Sequence, residues 1–427
     1  MISVSHKHFF VYTDLLQRRY EYMRSVYLGL TNINDALMFY GFTLKDYNNF
    51  EAVFSMYSFP GLLGLKVEDI NKPKCKQHDI RNTTYINRKY GNRKISYMKC
   101  PTCNHIFSSK QGTALYRSHV ADKEYCQVIT ALAEGMGIRS TGRIFGIDKD
   151  TVLRLLKDAA EHCRKVSKYF LQNLHIEECQ IDELWSFVMK KEKNLTPLDE
   201  IAGAFGDQWI WISIDATHKT IPFFVVGKHT LKNAIALIQG LKNITNDHIP
   251  FFTSDQLPHY PEALLRVYGI SKIVPSTGRR GRPRRPELIP PPSLKYAQVV
   301  KTRRKGRVVD IQVKAIYGND EDIKERLESS KVSHCVNVSF VERANGTLTH
   351  INKRLTRKTY CFSKDISYHK DQLDLSLAYY HLVKPHKGLR LEINQNGRRW
   401  QERTPFYAAG LTDHIWTMKE LLTYKVP

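Results

Sequence analysis

Gln180-Ile-Asp-Glu-Leu-Trp185 is a short apolar stretch that carries two carboxylates in the pattern of a β-strand. A second apolar run, Phe251-Phe-Thr-Ser-Asp255, ends on a carboxylate, and Glu342 opens an amphipathic helix farther along the chain. Each lone acid carries little information. Together, a compact fold could gather Asp182, Asp255 and Glu342 around shared cations, which is the layout of a two-metal site for phosphoryl transfer.

The chemistry of phosphodiesters explains why carboxylates are expected at such a site. In-line cleavage or joining needs a cation on both the attacking and the leaving oxygen, about 3.5–4 Å apart. Carboxylate oxygens are hard ligands that Mg²⁺ and Mn²⁺ prefer. The predicted cofactors are therefore two Mg²⁺ (or Mn²⁺) ions, with room left for water and for the phosphate oxygens of a nucleic acid.

The region around these acids reads as a sheet. The predicted elements are three successive strands, a helix and a further strand, over residues 181–189, 209–215, 221–227, 231–241 and 249–253. This order, with acids on the first strand and after the fourth, resembles the ribonuclease-H-like fold. We predict such a catalytic domain over residues 175–275 and 335–385. Asp215 also ends a strand and is the alternative to Asp182, but the first strand of that fold carries the first ligand.

A helix predicted over residues 339–355 presents one apolar stripe to the core. On its adjacent face, helical spacing groups Glu342 with Asn345 and Lys353, so the helix could bring Glu342 to the strand ends. Asn345 and Lys353 would then line the path of a phosphate backbone. The alternative is an exposed Glu-Arg pair on a surface helix, which the two aspartates disfavour.

Two pairs of metal-ligating residues precede the catalytic region. Cys75-Lys-Gln-His78 and Cys100-Pro-Thr-Cys103 are separated by 21 residues, enough for a hairpin, and can close a tetrahedral shell around Zn²⁺. We predict a zinc ribbon over residues 71–110, with structural Zn²⁺ bound by Cys75, His78, Cys100 and Cys103. His105 competes with His78 as the fourth ligand, and unmetallated thiols are the alternative.

A helix-turn-helix is predicted within residues 121–170. Its helices cover residues 125–134, 140–145 and 149–160, with a turn at 146–148 in which Asp148 caps the last helix. That last helix would present four residues to the major groove of DNA, namely Lys149, Asp150, Thr151 and Arg154. The alternative is a helical bundle that makes no DNA contact.

The remaining segments are assigned from composition and spacing. Residues 1–70 are predicted as a helical N-terminal region, residues 276–334 as a basic, β-rich insertion with a strand pair at 295–318, and residues 386–427 as a C-terminal tail. Residues 277–286 hold five arginines, Arg279, Arg280, Arg282, Arg284 and Arg285. They resemble an AT-hook that lies in a narrow minor groove, and a solvated basic linker is the alternative; either would contact phosphate.

Overall composition agrees with a nucleic-acid partner. The 427 residues include 42% hydrophobic ones, enough for several domains, and carry a net charge of +23. A polyanion is the expected partner of such a charge. No apolar run approaches the ~18 residues of a membrane span, so we expect a cytoplasmic, nucleoid-associated protein without membrane contact. The predicted class is a multidomain α+β protein with an α/β catalytic domain.

The sequence around Glu342 resembles one family in particular. Phe340-Val-Glu-Arg-Ala-Asn-Gly-Thr-Leu348, the following Lys353-Arg-Leu-Thr-Arg-Lys-Thr-Tyr-Cys-Phe-Ser363 and the C-terminal residues 404–416 are similar to the insertion sequence one family of DDE transposases. The resemblance spans residues 71–427. It implies that Asp182, Asp255 and Glu342 form the metal triad. Where that family often carries a basic residue seven positions after the glutamate, this chain has Thr349, and Lys353 is the candidate substitute.

The resemblance also implies an activity. Such an enzyme binds the terminal inverted repeats of a mobile element, cleaves at the element's ends and joins the freed 3′-hydroxyl to target DNA. Because two ends must be joined, a homodimer or larger synaptic assembly on double-stranded DNA is expected. Two alternatives stay open: a non-catalytic regulator that uses only the ribbon and the helix-turn-helix, and a structure-specific nuclease, which cleaves but does not join.

Overall fold

A computed structural model describes residues 22, 26, 32–48, 50, 84–90, 93–99, 106–202, 205–272, 286–395 and 398–426. The chain divides into two compact units, Met1–Ser109 together with Pro427, and Lys110–Val426. Both contain helices, and the second contains a mixed six-stranded sheet. This confirms the predicted α+β class. Among the described residues, no helix is both long and apolar enough to cross a lipid bilayer.

The first unit contains a short helix and a small sheet. Helix α1 (Ile33–Tyr40) begins where the Asn32 side chain accepts a hydrogen bond from the Asp35 backbone, and it ends at Gly41 in the left-handed conformation. Near it, an edge-to-face aromatic cluster surrounds the buried ring of Tyr22. Of the predicted N-terminal helical region 1–70, the structure describes residues 22, 26, 32–48 and 50, and the rest lie outside the described part of the chain.

Three antiparallel strands follow α1 in the first unit, in the order β1 (Thr84–Tyr90), β2 (Arg93–Lys99) and β3 (Ile106–Ser108). The predicted zinc ligands Cys75, His78, Cys100 and Cys103, and the alternative ligand His105, lie outside the described residues. In the sequence, Cys100 and Cys103 stand between β2 and β3. The zinc ribbon therefore stays a prediction.

The second unit opens with three helices, α2 (Asp122–Ala133), α3 (Ile138–Phe145) and α4 (Lys149–Phe170). The predicted turn is present: Gly146 adopts a left-handed conformation with φ 66°, and the Asp148 side chain accepts a hydrogen bond from the Asp150 backbone. Helix α4 continues ten residues past the predicted end at 160, because its buried stripe continues through Cys163 and Val166.

The sheet has the strand order β11-β10-β7-β4-β5-β6. In chain order its strands are β4 (Glu178–Val188), β5 (Gly206–Asp215), β6 (Phe224–Gly227), β7 (Phe251–Asp255), β10 (Tyr296–Arg304) and β11 (Arg307–Tyr317). Strands β4, β5 and β6 are antiparallel neighbours, whereas β7 pairs in parallel with both β4 and β10. The outer strand β11 returns antiparallel to β10.

Helices cover both faces of this sheet. The remaining named elements of the second unit are α5 (Pro197–Ala202), α6 (Leu231–Ile244), α7 (His259–Tyr268), β8 (Ile270–Lys272), β9 (Glu287–Ile289), α8 (Asp320–Ser329), α9 (Ser339–Ile351), α10 (Ile366–Leu382), β12 (Leu391–Gln395), β13 (Arg398–Gln401), α11 (Pro405–Ala408) and α12 (Met418–Thr423). Ile210 and Ile212 of β5 pack with residues of α9 and α10, while Trp211 packs with those of α6 and α7. Successive residues of a strand thus serve two separate cores.

Part of the predicted insertion belongs to the sheet. Residues 296–317, assigned from sequence to the basic insertion 276–334, form β10 and β11, and β10 pairs in parallel with β7 from Tyr296–Phe252 to Val299–Asp255. The strand pair predicted at 295–318 is thus confirmed as β10 and β11. Its place in the main sheet was not predicted, because only the first half of β10 is buried and β11 is exposed along most of its length. The five arginines Arg279, Arg280, Arg282, Arg284 and Arg285 lie outside the described residues.

The last predicted helix and the tail also differ from expectation. Helix α9 ends at Ile351 rather than at residue 355, because Asn352 turns the chain and its side chain caps a short 3₁₀ helix, Lys353–Leu355. The C-terminal tail is not peripheral: Phe406, Trp416 and Leu421 are buried in the same core cluster as α4.

Candidate metal centre

The predicted aspartates meet at the end of a parallel strand pair. The ladder between β4 and β7 runs from Glu178–Phe251 to Ile181–Ser254 and stops there. Asp182 and Asp255 are the next residue on each strand. Their carboxylates and that of Glu183 each offer an oxygen, and these oxygens lie within 4.8 Å of one another. Paired parallel strands run in the same direction, so residues that follow the last paired positions lie side by side. The short distance between Asp182 and Asp255 follows from this pairing.

Glu183 is a member of the cluster that the sequence reasoning missed. Neighbours on a strand face opposite sides of the sheet, and the contacts obey this rule: Asp182 meets α9, whereas Glu183 accepts a 2.8 Å hydrogen bond from the hydroxyl of Tyr260 on α7. His229 Nε2 lies 3.4 Å from the other Glu183 oxygen. All the same, the carboxylates of Asp182 and Glu183 both lie near that of Asp255 at the end of β7. The only sequence signal was adjacency to Asp182.

The cluster favours a cation. Burial, followed by repulsion from Glu183 and Asp255, raises the pKa of Asp182 to about 7. Burial and the charge of Asp255 raise the pKa of Glu183 to about 7, and burial also raises the pKa of Asp255. Oδ1 of Asp255 is buried and has no hydrogen-bond partner in the described structure. Closely spaced hard oxygens with an unsatisfied acceptor suit Mg²⁺ or Mn²⁺.

Glu342 lies beside this cluster and outside its tightest group. On α9, Asn345 donates a 2.8 Å hydrogen bond to Oδ2 of Asp182. Glu342 stands one turn earlier, with its side chain 53% exposed, and pairs with Lys301 of β10. Its charge contributes to the raised pKa values of Asp182 and Asp255. The structure therefore brings Asp182 and Asp255 together and holds Glu342 nearby against a lysine.

The start of α9 is fixed by the sheet itself. Gln180 is fully buried on β4, and its Oε1 accepts hydrogen bonds from the backbone of Phe340 at 3.0 Å and of Val341 at 3.1 Å. Its Nε2 donates to Oδ1 of Asn337, and Thr253 of β7 donates to the Asn337 carbonyl, both at 3.1 Å. Both strands that carry the aspartates thus position the helix that carries Glu342 and Asn345.

The alternative first ligand is far from the cluster. Asp215 pairs with Cys179, whereas Asp182 pairs with Ile212 in the same antiparallel ladder. Three residues of strand amount to roughly 10 Å. Asp215 is 3% exposed, accepts a hydrogen bond from the Thr217 backbone and lies 2.6 Å from Nδ1 of His218. Its environment explains it as a turn residue.

Two of the predicted DNA-contacting residues, Lys149 and Lys353, line a groove apart from the carboxylate cluster. Lys149 and Arg154 are exposed near the start of α4, and Thr151 between them is partly buried. The groove runs between this region and the segment after α9, lined by basic residues that include Arg139, Arg143, Lys149, Lys353 and Lys364. Lys353 belongs to this groove because α9 ends before it, so it does not continue the helix face of Asn345.

A scan against models of known protein families finds no match, and a search of curated proteins finds no significant similarity. What the arrangement can do therefore follows from its donor atoms and its setting. Three carboxylates near the ends of the β4–β7 pairing can bind divalent cations. The nearby lysine and the basic groove suit a polyanionic partner.

Proposed function

We propose that this chain is a DDE transposase, a metal-dependent enzyme that cleaves DNA at the ends of a mobile element and joins the 3′-hydroxyl to target DNA. The observation that carries the proposal is the meeting of Asp182 and Asp255 at the ends of two parallel strands, beside the helix that presents Glu342. Bound Mg²⁺ or Mn²⁺ would stabilise charge on the attacking and leaving oxygens of the phosphodiester.

The strand order supports a ribonuclease-H-like catalytic domain. Three antiparallel strands, a helix and a parallel strand follow one another from β4 to β7, and the acids stand on the first and the fourth of these strands. Strand β10 then extends the parallel part of the sheet. This is the arrangement on which the sequence resemblance to that fold rested.

In this proposal each side chain has a role. Asp182 and Asp255 would hold the cations, and Asn345 orients Asp182 through its hydrogen bond. Glu342, which pairs with Lys301 in the structure, would be the third ligand, and Lys301 would then be available to a phosphate oxygen. Glu183 remains held by Tyr260 at the back of the site. This exchange of partners by Lys301 would keep the local charge balanced as the DNA phosphate enters.

The partner in this proposal is double-stranded DNA, bound as terminal repeats and as target. The net charge of +23 supports that partner. Lys149, Thr151 and Arg154 at the start of α4 would read the repeat, and the groove lined by Lys353 would follow the backbone. Since two ends are joined, the acting form would be a homodimer or larger assembly.

The proposal is tested by cleavage and joining assays on labelled terminal-repeat duplex with Mg²⁺ or Mn²⁺. Asp182→Asn, Asp255→Asn and Glu342→Gln should each abolish cleavage and joining while binding in a Ca²⁺ gel shift is kept. Asp215→Asn is the matched control and should stay active, because that carboxylate stands about three residues of strand away.

Each other outcome has a distinct meaning. Cleavage without joining by the wild type would favour a nuclease, and binding without cleavage would favour a regulator. Inactivity of Glu183→Gln together with activity of Glu342→Gln would move the third ligand to Glu183. Activity that survives all three triad substitutions would refute the proposal.

A further inference from the structure

A second group of metal-ligating side chains lies at the opposite end of the β4–β7 pair. His175 Nε2 lies 2.7 Å from Oε1 of Glu177, and His248 Nε2 lies 3.4 Å from Oε2 of the same carboxylate. The two imidazole rings stand 4.7 Å apart, centroid to centroid. One ligand atom from each residue can be chosen so that all three lie within 4.8 Å of one another.

This group is independent of the carboxylate cluster. His175 and Glu177 immediately precede β4, and His248 precedes β7, so the group lies where the two strands begin. A backbone hydrogen bond from Phe251 to the Glu177 carbonyl, at 2.9 Å, joins the strands there. Asp182 lies five positions after Glu177 along the extended chain, roughly 16 Å away.

Two imidazole nitrogens and one carboxylate oxygen form a donor set that binds Zn²⁺ more tightly than Mg²⁺. His175 and Glu177 are about half exposed, so water can complete the coordination shell. Nε2 of His248 has no hydrogen-bond partner within the described ranges, although the Glu177 carboxylate is close. We propose that His175, Glu177 and His248 bind one Zn²⁺ ion, which ties together the starts of β4 and β7.

Two neighbouring side chains, Asn246 and Arg326, weaken Zn²⁺ binding at this site. Nδ2 of Asn246 lies 3.1 Å from Nδ1 of His175. When Nε2 of His175 binds a metal ion, the ring proton is on Nδ1. The Asn246 amide must then rotate so that its oxygen, instead of its NH₂ group, faces Nδ1. Arg326 on α8 places a guanidinium nitrogen 3.4 Å from Oε2 of Glu177 and competes with the cation. Both effects weaken binding, and the second can be removed by substitution.

The first test is the zinc content of the purified full chain, equilibrated with Zn²⁺ and then dialysed against zinc-free buffer. His175→Ala and His248→Ala should each hold one zinc fewer per chain than the wild type. His414→Ala is the matched control, because His414 is also an exposed histidine between two carboxylates, Asp413 and Glu420, and no other histidine of the described residues packs against it. Its zinc content should equal that of the wild type.

The second test separates this site from the predicted cysteine ribbon. His175→Ala should lower the zinc content per chain by the same amount in the wild type and in the Cys100→Ser variant. Co²⁺ bound at the histidine site should show ligand-field absorption without the thiolate charge-transfer band that a cysteine site gives. Arg326→Gln should tighten Zn²⁺ binding several-fold, because it removes a competing positive charge.

Because these histidines are partly exposed, the variants are expected to fold, so a change in zinc content can be assigned to the lost ligand. Circular dichroism should show the same folded spectrum for the wild type, His175→Ala and His414→Ala, and added Zn²⁺ should raise the melting temperature of the wild type more than that of His175→Ala. Equal zinc content in the wild type, His175→Ala and His248→Ala would overturn the proposal. So would a loss of zinc that appears only when cysteines are replaced.

Discussion

The carboxylates of Asp182, Glu183 and Asp255 lie close together and repel one another when ionised. The pKa values of Asp182 and Glu183 rise from 3.8 and 4.5 to about 7, chiefly through burial and then through mutual repulsion. A carboxyl group with a raised native pKa binds more protons in the native than in the unfolded state. Its contribution to stability is therefore complete below about pH 4 and is lost as pH rises through about 7.

Because ionised Asp182 destabilises the fold above about pH 7, Asp182→Asn should stabilise the protein there. In buffer without divalent cations the variant should melt a few degrees higher than the wild type at pH 8, because it removes one repelling charge. The difference should shrink as pH falls towards 4, where the wild-type carboxyl is protonated. Thermal unfolding monitored by circular dichroism checks it. Added Mg²⁺ should raise the melting temperature of the wild type only, and a variant that melts lower at pH 8 would contradict the argument.

Gln180 gives a second prediction at this scale. Gln180→Ala leaves the backbone N–H groups of Phe340 and Val341 without their acceptor, which should cost about 1–3 kcal/mol of folding free energy. Thr253→Val removes only the bond to Asn337 and should cost less. Urea unfolding measures both free energies. In the cleavage assay Gln180→Ala should lose more activity than Thr253→Val, since α9 carries Glu342; equal losses would show that Gln180 does not position α9.

The sequence predicted the residues whose signals are local. Asp182 and Asp255 end apolar runs, and their meeting follows from parallel pairing. Glu183 was missed because strand alternation assigns it to the face opposite Asp182, although its carboxylate lies near those of Asp182 and Asp255 in the folded chain. Gln180 was missed because its role depends on the backbone of residues about 160 positions away.

At the scale of elements, short-range chemistry was again the reliable guide. The turn at Gly146 and the cap at Asp148 involve neighbours in sequence, and both are present. The length of α4 and the place of β10 depend on distant partners. The exposed basic end of β10 suggested a separate insertion, while its buried half, from Tyr296 to Val299, completes the parallel sheet.

The predicted zinc ribbon is an element-scale test. Cys100→Ser or Cys103→Ser should release one zinc and disorder residues 75–105, because the remaining ligands cannot hold the ion and a small metal-dependent segment loses its folding energy. Zinc analysis and limited proteolysis around residue 100 check this. A control, Cys335→Ser, replaces an exposed free cysteine and should keep the zinc. A segment that stays protease-resistant without zinc would contradict the ribbon.

At the scale of the whole molecule, the segment predicted as a helix-turn-helix, residues 121–170, is part of a larger compact unit. Sequence assigned residues 121–170 and the catalytic region to different domains, but Lys110–Val426 is one compact unit. Leu155 of α4, Leu375 of α10 and Phe406 of the tail share one buried cluster. Under the proposed function, α4, which would bind the terminal repeat, therefore belongs to the same packed unit as Asp182 and Asp255, which would bind the catalytic cations.

Arg164 is the polar part of this connection. From α4 it donates hydrogen bonds to Asp374 at 2.6 and 2.9 Å and to Asp371 at 3.0 Å, both on α10. The two aspartates are largely buried, with side chains 9% and 11% exposed. Burial raises the pKa of Asp374 to about 6, although the guanidinium opposes that rise. Without Arg164, the two buried carboxylates would lose their hydrogen-bonded countercharge and keep only the weaker fields of Lys157, Arg354 and Lys370.

Arg164→Gln should therefore destabilise the whole unit in a pH-dependent way. At pH 8 the loss should be about 3 kcal/mol or more, since an unpaired buried charge remains, and it should become smaller towards pH 5 as Asp374 takes up a proton. Arg164→Gln combined with Asp374→Asn should recover part of the loss. Urea unfolding followed by Trp fluorescence at both pH values measures this. A loss equal at pH 5 and pH 8 would show that packing of the Arg164 stem, rather than its charge, joins α4 to α10.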